Sequence, residues 1–288
     1  MRPTLGVSVF VALFLVMAID GRARAGPEPG SEKSGRGGAP AGLQPETYEL
    51  PVLTILGGGG PRFQRIQLKV GDGAGGIEPR DFQTGAYFDF GWFLLARPAA
   101  RKLFRPSVQA IVLQLSGGAG VGLKVEPSGT GISLQTRTWR LLGQFGYLYP
   151  MGRVQVGGFV GLGADLLRID LNSVLPSSRI IYFRLGPAVT YQIVEQLLHV
   201  RVDLGLRAPF VLDGLSDAFG NDASGMGMDA ALMFNGRLEN GFSYAFRLVW
   251  EYYWLRFGGA SASVPAAGEG ADGGDNAITL QFLVGWSL

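Results

Sequence analysis

From Phe242 to Trp254 the chain reads Phe-Ser-Tyr-Ala-Phe-Arg-Leu-Val-Trp-Glu-Tyr-Tyr-Trp. Every second residue, Phe242, Tyr244, Phe246, Leu248, Trp250, Tyr252 and Trp254, is large and apolar or aromatic. The residues between them, Ser243, Ala245, Arg247, Val249, Glu251 and Tyr253, mix small, polar and charged groups. Successive side chains of an extended chain point to opposite faces, so this is a strand with one greasy face and one mixed face. The same period carries Leu198, Val200, Val202, Leu204, Leu206, Ala208 and Phe210 against His199, Arg201, Asp203, Gly205, Arg207 and Pro209. It recurs in Ile181, Phe183, Leu185, Pro187, Val189 and Tyr191 against Tyr182, Arg184, Gly186, Ala188, Thr190 and Gln192.

A soluble sandwich alternates in the same way, so the content of the polar face has to decide. A strand face in water favours Lys, Glu and Thr. These faces are instead crowded with Gly and Ala and carry isolated Arg and Asp, as a confined lumen requires. The chain has only four lysines (Lys33, Lys69, Lys102 and Lys124) beside 21 arginines, and arginine suits confined ion pairs better. An outward apolar face and an inward polar face describe an all-β, transmembrane, antiparallel up-and-down barrel. Trp92, Tyr147, Tyr149, Trp250, Trp254 and Trp286 share the outward face and suit interfacial girdles.

Spacing predicts ten strands, near 50–70, 83–96, 106–117, 130–149, 153–170, 179–194, 197–211, 226–237, 241–257 and 276–288. Connections then alternate in length. Pro150-Met151-Gly152, Glu195-Gln196 and Leu238-Glu239-Asn240 are tight turns, whereas 71–82, 118–129, 171–178, 212–225 and 258–275 are longer loops rich in Gly and polar residues. Short periplasmic turns and long external loops are the pattern of outer-membrane barrels. The connection 97–105 is longer than its companions, and its Arg97, Arg101, Lys102 and Arg105 suit either solvent or anionic headgroups. Gly57 to Gly60 followed by Pro61 reads as a kink in the first strand or as a turn that would change the count.

The N-terminus is an address. Arg2, an apolar run from Val7 to Ile19 and Ala23-Arg24-Ala25 make a cleavable signal peptide over 1–25, the run being shorter than the ~20 residues a spanning helix needs. Removing it takes away Arg2, Arg22, Arg24 and Asp20 and leaves 22 basic against 22 acidic residues. Such a neutral chain has no general affinity for nucleic acid. Residues 26–47 have little to bury and read as a flexible periplasmic leader, the alternative being a partner-binding segment; the barrel itself is 48–288.

The last strand carries a resemblance. Ile278, Leu280, Phe282, Val284, Trp286 and Leu288 place an apolar residue at every second position to the end of the chain. This resembles the terminal strand of Gram-negative outer-membrane β-barrel proteins, with Leu288 standing where the family usually has Phe. The resemblance implies insertion by the barrel-assembly machinery. Outer-membrane lipids are the other expected partners, with lipopolysaccharide met by the external loops through divalent ions. The resemblance names no substrate and no oligomeric state.

Chemistry is harder to find. With no Cys there is no thiolate nucleophile and no sulfur-bound zinc, and one His excludes a histidine cluster. Gly117-Gly118-Ala119-Gly120-Val121-Gly122-Leu123-Lys124 lacks the Gly-Lys-Ser/Thr ending of a phosphate loop, and no cofactor motif stands elsewhere. His199 falls at the periplasmic end, whereas barrel hydrolases of the omptin, phospholipase and lipid A deacylase families use a histidine near the outer rim. Asp203 shares its face but stands about 13 Å away at ~3.3 Å per residue. Lys69, Asp89, Arg140, Asp165, Arg184, Arg201, Asp203, Arg207, Asp229, Arg237, Arg247 and Glu251 are expected to form an inward charge network. Near balance of sign suggests salt bridges filling the interior, since an unpaired buried charge costs several kcal/mol. A narrow anion path is the alternative. The external loops are acidic, and Glu269, Asp272 and Asp275 are the candidate cation-binding loop, with plain solvation as the other reading. The expected function is a non-enzymatic structural or surface-contact barrel. A narrow solute channel stands second and a carboxylate-dependent hydrolase, built for example on Asp165 and Asp229, third.

Overall fold

The computed structural model describes residues 51–71, 77–100, 106–127, 134–169, 176–259 and 270–288. The signal peptide, the leader and Glu269 lie outside them. The described chain is a closed antiparallel barrel: β1 (Leu53–Gly71), β2 (Ile77–Thr84), β3 (Tyr87–Ala96), α1 (Pro106–Gln109), β4 (Ile111–Pro127), β5 (Leu134–Met151), β6 (Val154–Ile169), β7 (Ser178–Val194), β8 (Leu198–Asp213), α2 (Leu215–Phe219), β9 (Asp222–Arg237), β10 (Phe242–Gly258) and β11 (Ala271–Ser287). β2 and β3 both pair with β1, one above the other, with a break at Gly85-Ala86, so eleven strand segments make ten staves. β1 closes on β11 from Thr54↔Ser287 to Val70↔Ala271.

The run Gly57 to Pro61 is neither a turn nor the end of a strand, because β1 passes straight through it. A Cβ on Gly58 would lie 2.0 Å from the Phe282 carbonyl oxygen and one on Gly60 2.2 Å from that of Leu280. These glycines permit the close backbone approach that closes the barrel.

Strands also run further than their apolar faces suggest. Of the segments expected as loops, 118–127 belongs to β4, 77–82 to β2 and 271–275 to β11, and 212–225 contains the end of β8, α2 and the start of β9. Asp81, Asp213, Asp222, Asp272 and Asp275 are therefore strand residues, and Asp217 is helical. The reason lies in the two environments of the wall. Near the tight turns the outer face is apolar, with Phe145, Leu162, Leu185, Leu206 and Phe282 exposed. Toward the far end it turns polar, with Arg65, Gln67, Lys69, Arg137, Arg168, Arg179 and Arg256 on the outside. There the inside turns apolar, so a strand in this zone looks like one from a water-soluble barrel.

The lumen is filled in layers. Nearest the turns, Leu56, Phe93, Met233, Ala245 and Leu283 pack together beside Val112, Leu148, Phe159 and Ala188. Charged and amide side chains occupy the middle. Above them Ile66, Leu68, Val70, Phe82, Tyr182, Tyr253, Leu255 and Phe257 form a larger apolar core. α2 closes its top with the buried Leu215 and Phe219, the latter ring 5.8 Å from Phe257.

Candidate functional site

The middle layer of the lumen is the candidate site. Alternation along β3, β5, β6, β7, β8, β9 and β10 points Asp89, Arg140, Asp165, Arg184, Arg201, Asp203, Arg207, Asp229, Arg247 and Glu251 inward. Glycine makes the room: a Cβ on Gly205 would meet Arg184 Nε at 2.5 Å, and one on Gly163 the Tyr182 ring at 2.2 Å.

Glu251 is one hub. It accepts from Arg62 at 2.6 Å, from Arg140 at 3.2 Å and from Arg207 at 2.7 Å. Asp229 is the second, accepting from Arg184 at 2.5 Å and from Arg207 Nε at 2.7 Å. Arg207 links the hubs and also reaches Asp165 Oδ2 at 3.3 Å and the Tyr253 hydroxyl at 2.8 Å. Its guanidinium carbon sits 4.6 Å from the centre of the Tyr182 ring, and the Tyr253 hydroxyl donates to Asp165 at 2.8 Å. Asp89 accepts from Arg140 at 2.6 Å and from Gln281 at 2.7 Å. Arg201 pairs with Asp203 at 2.9 Å, donates to Gln114 at 2.8 Å and lies over the Phe159 ring. Charge-assisted bonds of this kind are the strong ones, and they offset the cost of taking so many ions out of water.

Two expected members stand elsewhere and a third lies in the layer without joining the linked set. Lys69 is exposed on the outer wall, opposite Asp272 of β11, because Ile66, Leu68 and Val70 take the inward positions in the far zone. Arg237 faces a separate cavity at the turn end. Arg247 lines the middle cavity without a hydrogen bond or ion pair to any described residue, so it is not part of the linked set. Two residues outside the expected set belong to the layer. Arg62, 5% exposed, is a partner of Glu251, and Asp275 accepts from Gln64 at 2.9 Å and 3.0 Å. Arg62-Phe63-Gln64 held the signal, a charged and an amide residue flanking an outward aromatic. The apolar Ile66, Leu68 and Val70 that follow masked it.

The candidate cation loop does not assemble. Asp272 and Asp275 are three residues apart in β11 and therefore on opposite faces, Asp272 outside near Arg256 at 3.6 Å and Asp275 inside on Gln64. Among the described residues no three His, Cys, Asp or Glu side chains cluster to hold a metal. Asp165 and Asp229 share Arg207 beneath the upper apolar core, so both are acceptors in ion pairs. His199 is buried at the turn end, and the far-zone inner wall is apolar. Two cavities of about 40 and 30 Å³ remain in and beside the middle layer, enough for a few waters.

No protein-family model matches the chain, and no curated protein matches it. Among solved structures, the outer membrane protease OmpT from Escherichia coli superposes with a TM-score of 0.50 at 10% identity, over 85% of this chain and all of OmpT. The fold is that of a Gram-negative outer-membrane β-barrel. A FadL homologue from Pseudomonas aeruginosa matches at a TM-score of 0.29 and 6% identity, over 80% of this chain and 89% of its own. An outer membrane channel from Pseudomonas putida F1 matches at 0.31 and 14%, over 83% and 99%. Identity this low speaks for the path of the chain and not for its chemistry, so the protease activity named for OmpT stays with OmpT.

Proposed function

We propose that this protein is an integral outer-membrane barrel that works closed, as a structural and surface-contact protein and not as a conduit or a hydrolase. The observation that carries this reading is the filling of the lumen: an ion-paired layer held between two apolar layers, with Glu251, Asp229, Arg184 and Arg207 each less than 7% exposed. A hydrated solute on its way through would have to break both apolar layers and the pairs between them. By this reading the tight turns face the periplasm and the polar far zone stands outside the cell.

The contact surface is the outer wall of that far zone. Arg137 and Arg168 are directly opposite in β5 and β6, both exposed, one step beyond the outward Trp139. Like charges in directly opposed positions repel unless something shared lies between them. A lipopolysaccharide phosphate at the level of an aromatic girdle fits that place, and it takes over the role that the acidic loop was expected to play through a divalent ion. Conductance in a planar bilayer tests the closed reading. Wild type should give no discrete openings, and steady single-channel steps from it would overturn the reading in favour of the narrow channel.

A further inference from the structure

Two amides in the middle layer are oriented by an arginine. Arg201 can only donate, so the Gln114 atom it meets at 2.8 Å is the oxygen, Oε1. Gln114 therefore turns its nitrogen toward Gln144, whose Oε1 accepts at 3.0 Å. This relay ends on Gln144 Nε2, a buried donor with no acceptor among the described residues, in a residue 7% exposed. Because Arg201 fixes the first amide, neither can be flipped to make that end an acceptor.

What stands opposite follows from the wall. From Gln144 the hydrogen-bonded register runs one way through Gly161, Arg184, Arg207 and Gly227 to Tyr253 of β10. The other way it runs through Gln114, Leu95, Thr54 and Ser287 to Gly241, just ahead of β10. The offset between Tyr253 and Gly241 is the stagger of a tilted barrel, and its midpoint is Arg247. Arg247 therefore faces Gln144 across the lumen, and both line the cavity of about 40 Å³ in the middle layer, as does the hydroxyl-bearing Ser116. Arg247 has no hydrogen bond or ion pair to any described residue. The charges of Asp203 and Glu251 reach it without bonding it, and those of Arg140 and Arg201 oppose them. Both acids are already held, Asp203 by Arg201 and Glu251 by Arg62, Arg140 and Arg207. Asp165 keeps Oδ1 unbonded, but it stands four residues further along β6 than Gly161, the partner of Gln144. At the height of Gln144 the cavity thus presents a guanidinium on one side and an amide donor on the other.

We infer that this cavity binds one small monovalent anion of halide size, gripped between the Arg247 guanidinium and Gln144 Nε2. One unpaired cation calls for one negative charge; a second would be left uncompensated beside Asp203 and Glu251. The volume admits an ion with a water or two and no larger head. The site lies inside the lumen and does not rest on what the outer wall contacts. Apolar layers on both sides mean that the ion joins as the barrel closes, so the folding equilibrium reads it.

Urea unfolding of the full chain from neutral phospholipid vesicles, with chloride replacing gluconate at constant ionic strength, tests this. The folded-to-unfolded ratio of wild type should rise about fivefold in 150 mM chloride, as linkage to one bound ion requires. Arg247→Met should fold and lose the dependence. Gln144→Glu keeps the acceptor for Gln114 and puts a carboxylate oxygen where the ion would lie, so it should be more stable than wild type in gluconate and indifferent to chloride. Arg137→Ser/Arg168→Ser, on the outer wall, should respond to chloride as wild type does. Equal ratios for wild type in chloride and gluconate would overturn the inference. So would a chloride response kept by Arg247→Met or lost from the outer-wall variant, or a Gln144→Glu chain less stable than wild type in gluconate.

Discussion

Arg207 touches more of the site than any other described side chain, contacting Asp165, Asp229, Glu251 and the hydroxyl of Tyr253 and lying over the Tyr182 ring. Removing it strips one donor from each of three buried carboxylates. Arg207→Ala should therefore lower stability by about 3–5 kcal/mol. Arg247 lies in the same layer and shares its strand face with Glu251, yet has no such partners. Replacing an unpaired, partly buried charge with an apolar side chain of similar length is neutral or stabilising, so Arg247→Met should shift stability by less than about 1 kcal/mol or raise it. Urea unfolding from phospholipid vesicles reads both changes, and equal losses from the two variants would contradict the division between linked and unlinked arginines. The inward alternation of β7, β8 and β10 was enough to find Arg184, Arg201, Arg207, Arg247 and Glu251 in the sequence. Which of them bond to which was not legible, because partners come from strands far apart in the chain, as with Arg62 and Glu251.

At the scale of the strand, what the sequence hid is the reversal along its length. In β8 and β10 the apolar residues point outward over most of the strand, and their pattern is easy to read. In β1 the outward residues pass from Phe63 to Arg65, Gln67 and Lys69 while the inward ones pass from Arg62 and Gln64 to Ile66, Leu68 and Val70. Period two survives the passage but its sense inverts, so a reader who assumes grease outside assigns Lys69 to the lumen and loses Arg62. The same inversion made the far end of β11 look like a loop. It also predicts how the wall tolerates charge. Leu206, outward and 52% exposed within the apolar belt, should resist Leu206→Arg at a cost of up to about 2–4 kcal/mol. Gln67→Arg, outward in the far zone, should change stability by less than about 0.5 kcal/mol. The same vesicle unfolding measures both, and a Gln67→Arg loss as large as that of Leu206→Arg would show that the apolar belt extends over the far zone.

Taken as a whole, the described barrel has two zones along its one wall, the first with its apolar side outward near the turns and the second with it inward beyond them. The join falls where Trp139 and Trp254 stand on the outer wall, 61% and 46% exposed. A charged residue just beyond such a girdle meets lipid headgroups, and the outer wall there is cationic in an uneven way. Arg65 pairs with Asp81, Arg179 with Asp213, and Arg256 lies near Asp272. Arg137 and Arg168 face each other across β5 and β6, and neither has an ion pair with a described residue. Two guanidiniums side by side form a pocket of donors that a phosphate fills bidentately from each side. Lipopolysaccharide carried through purification of the membrane-extracted protein should then fall at least severalfold in Arg137→Ser/Arg168→Ser, measured as phosphate per barrel, and Arg65→Ser should leave it unchanged because that cation already has Asp81. The double variant should stay folded, and its stability without lipopolysaccharide should equal or exceed that of wild type, since the exposed like-charge pair is gone. Retention of the lipid by a folded double variant would remove this pair from the contact surface and leave the other far-zone cations to account for it.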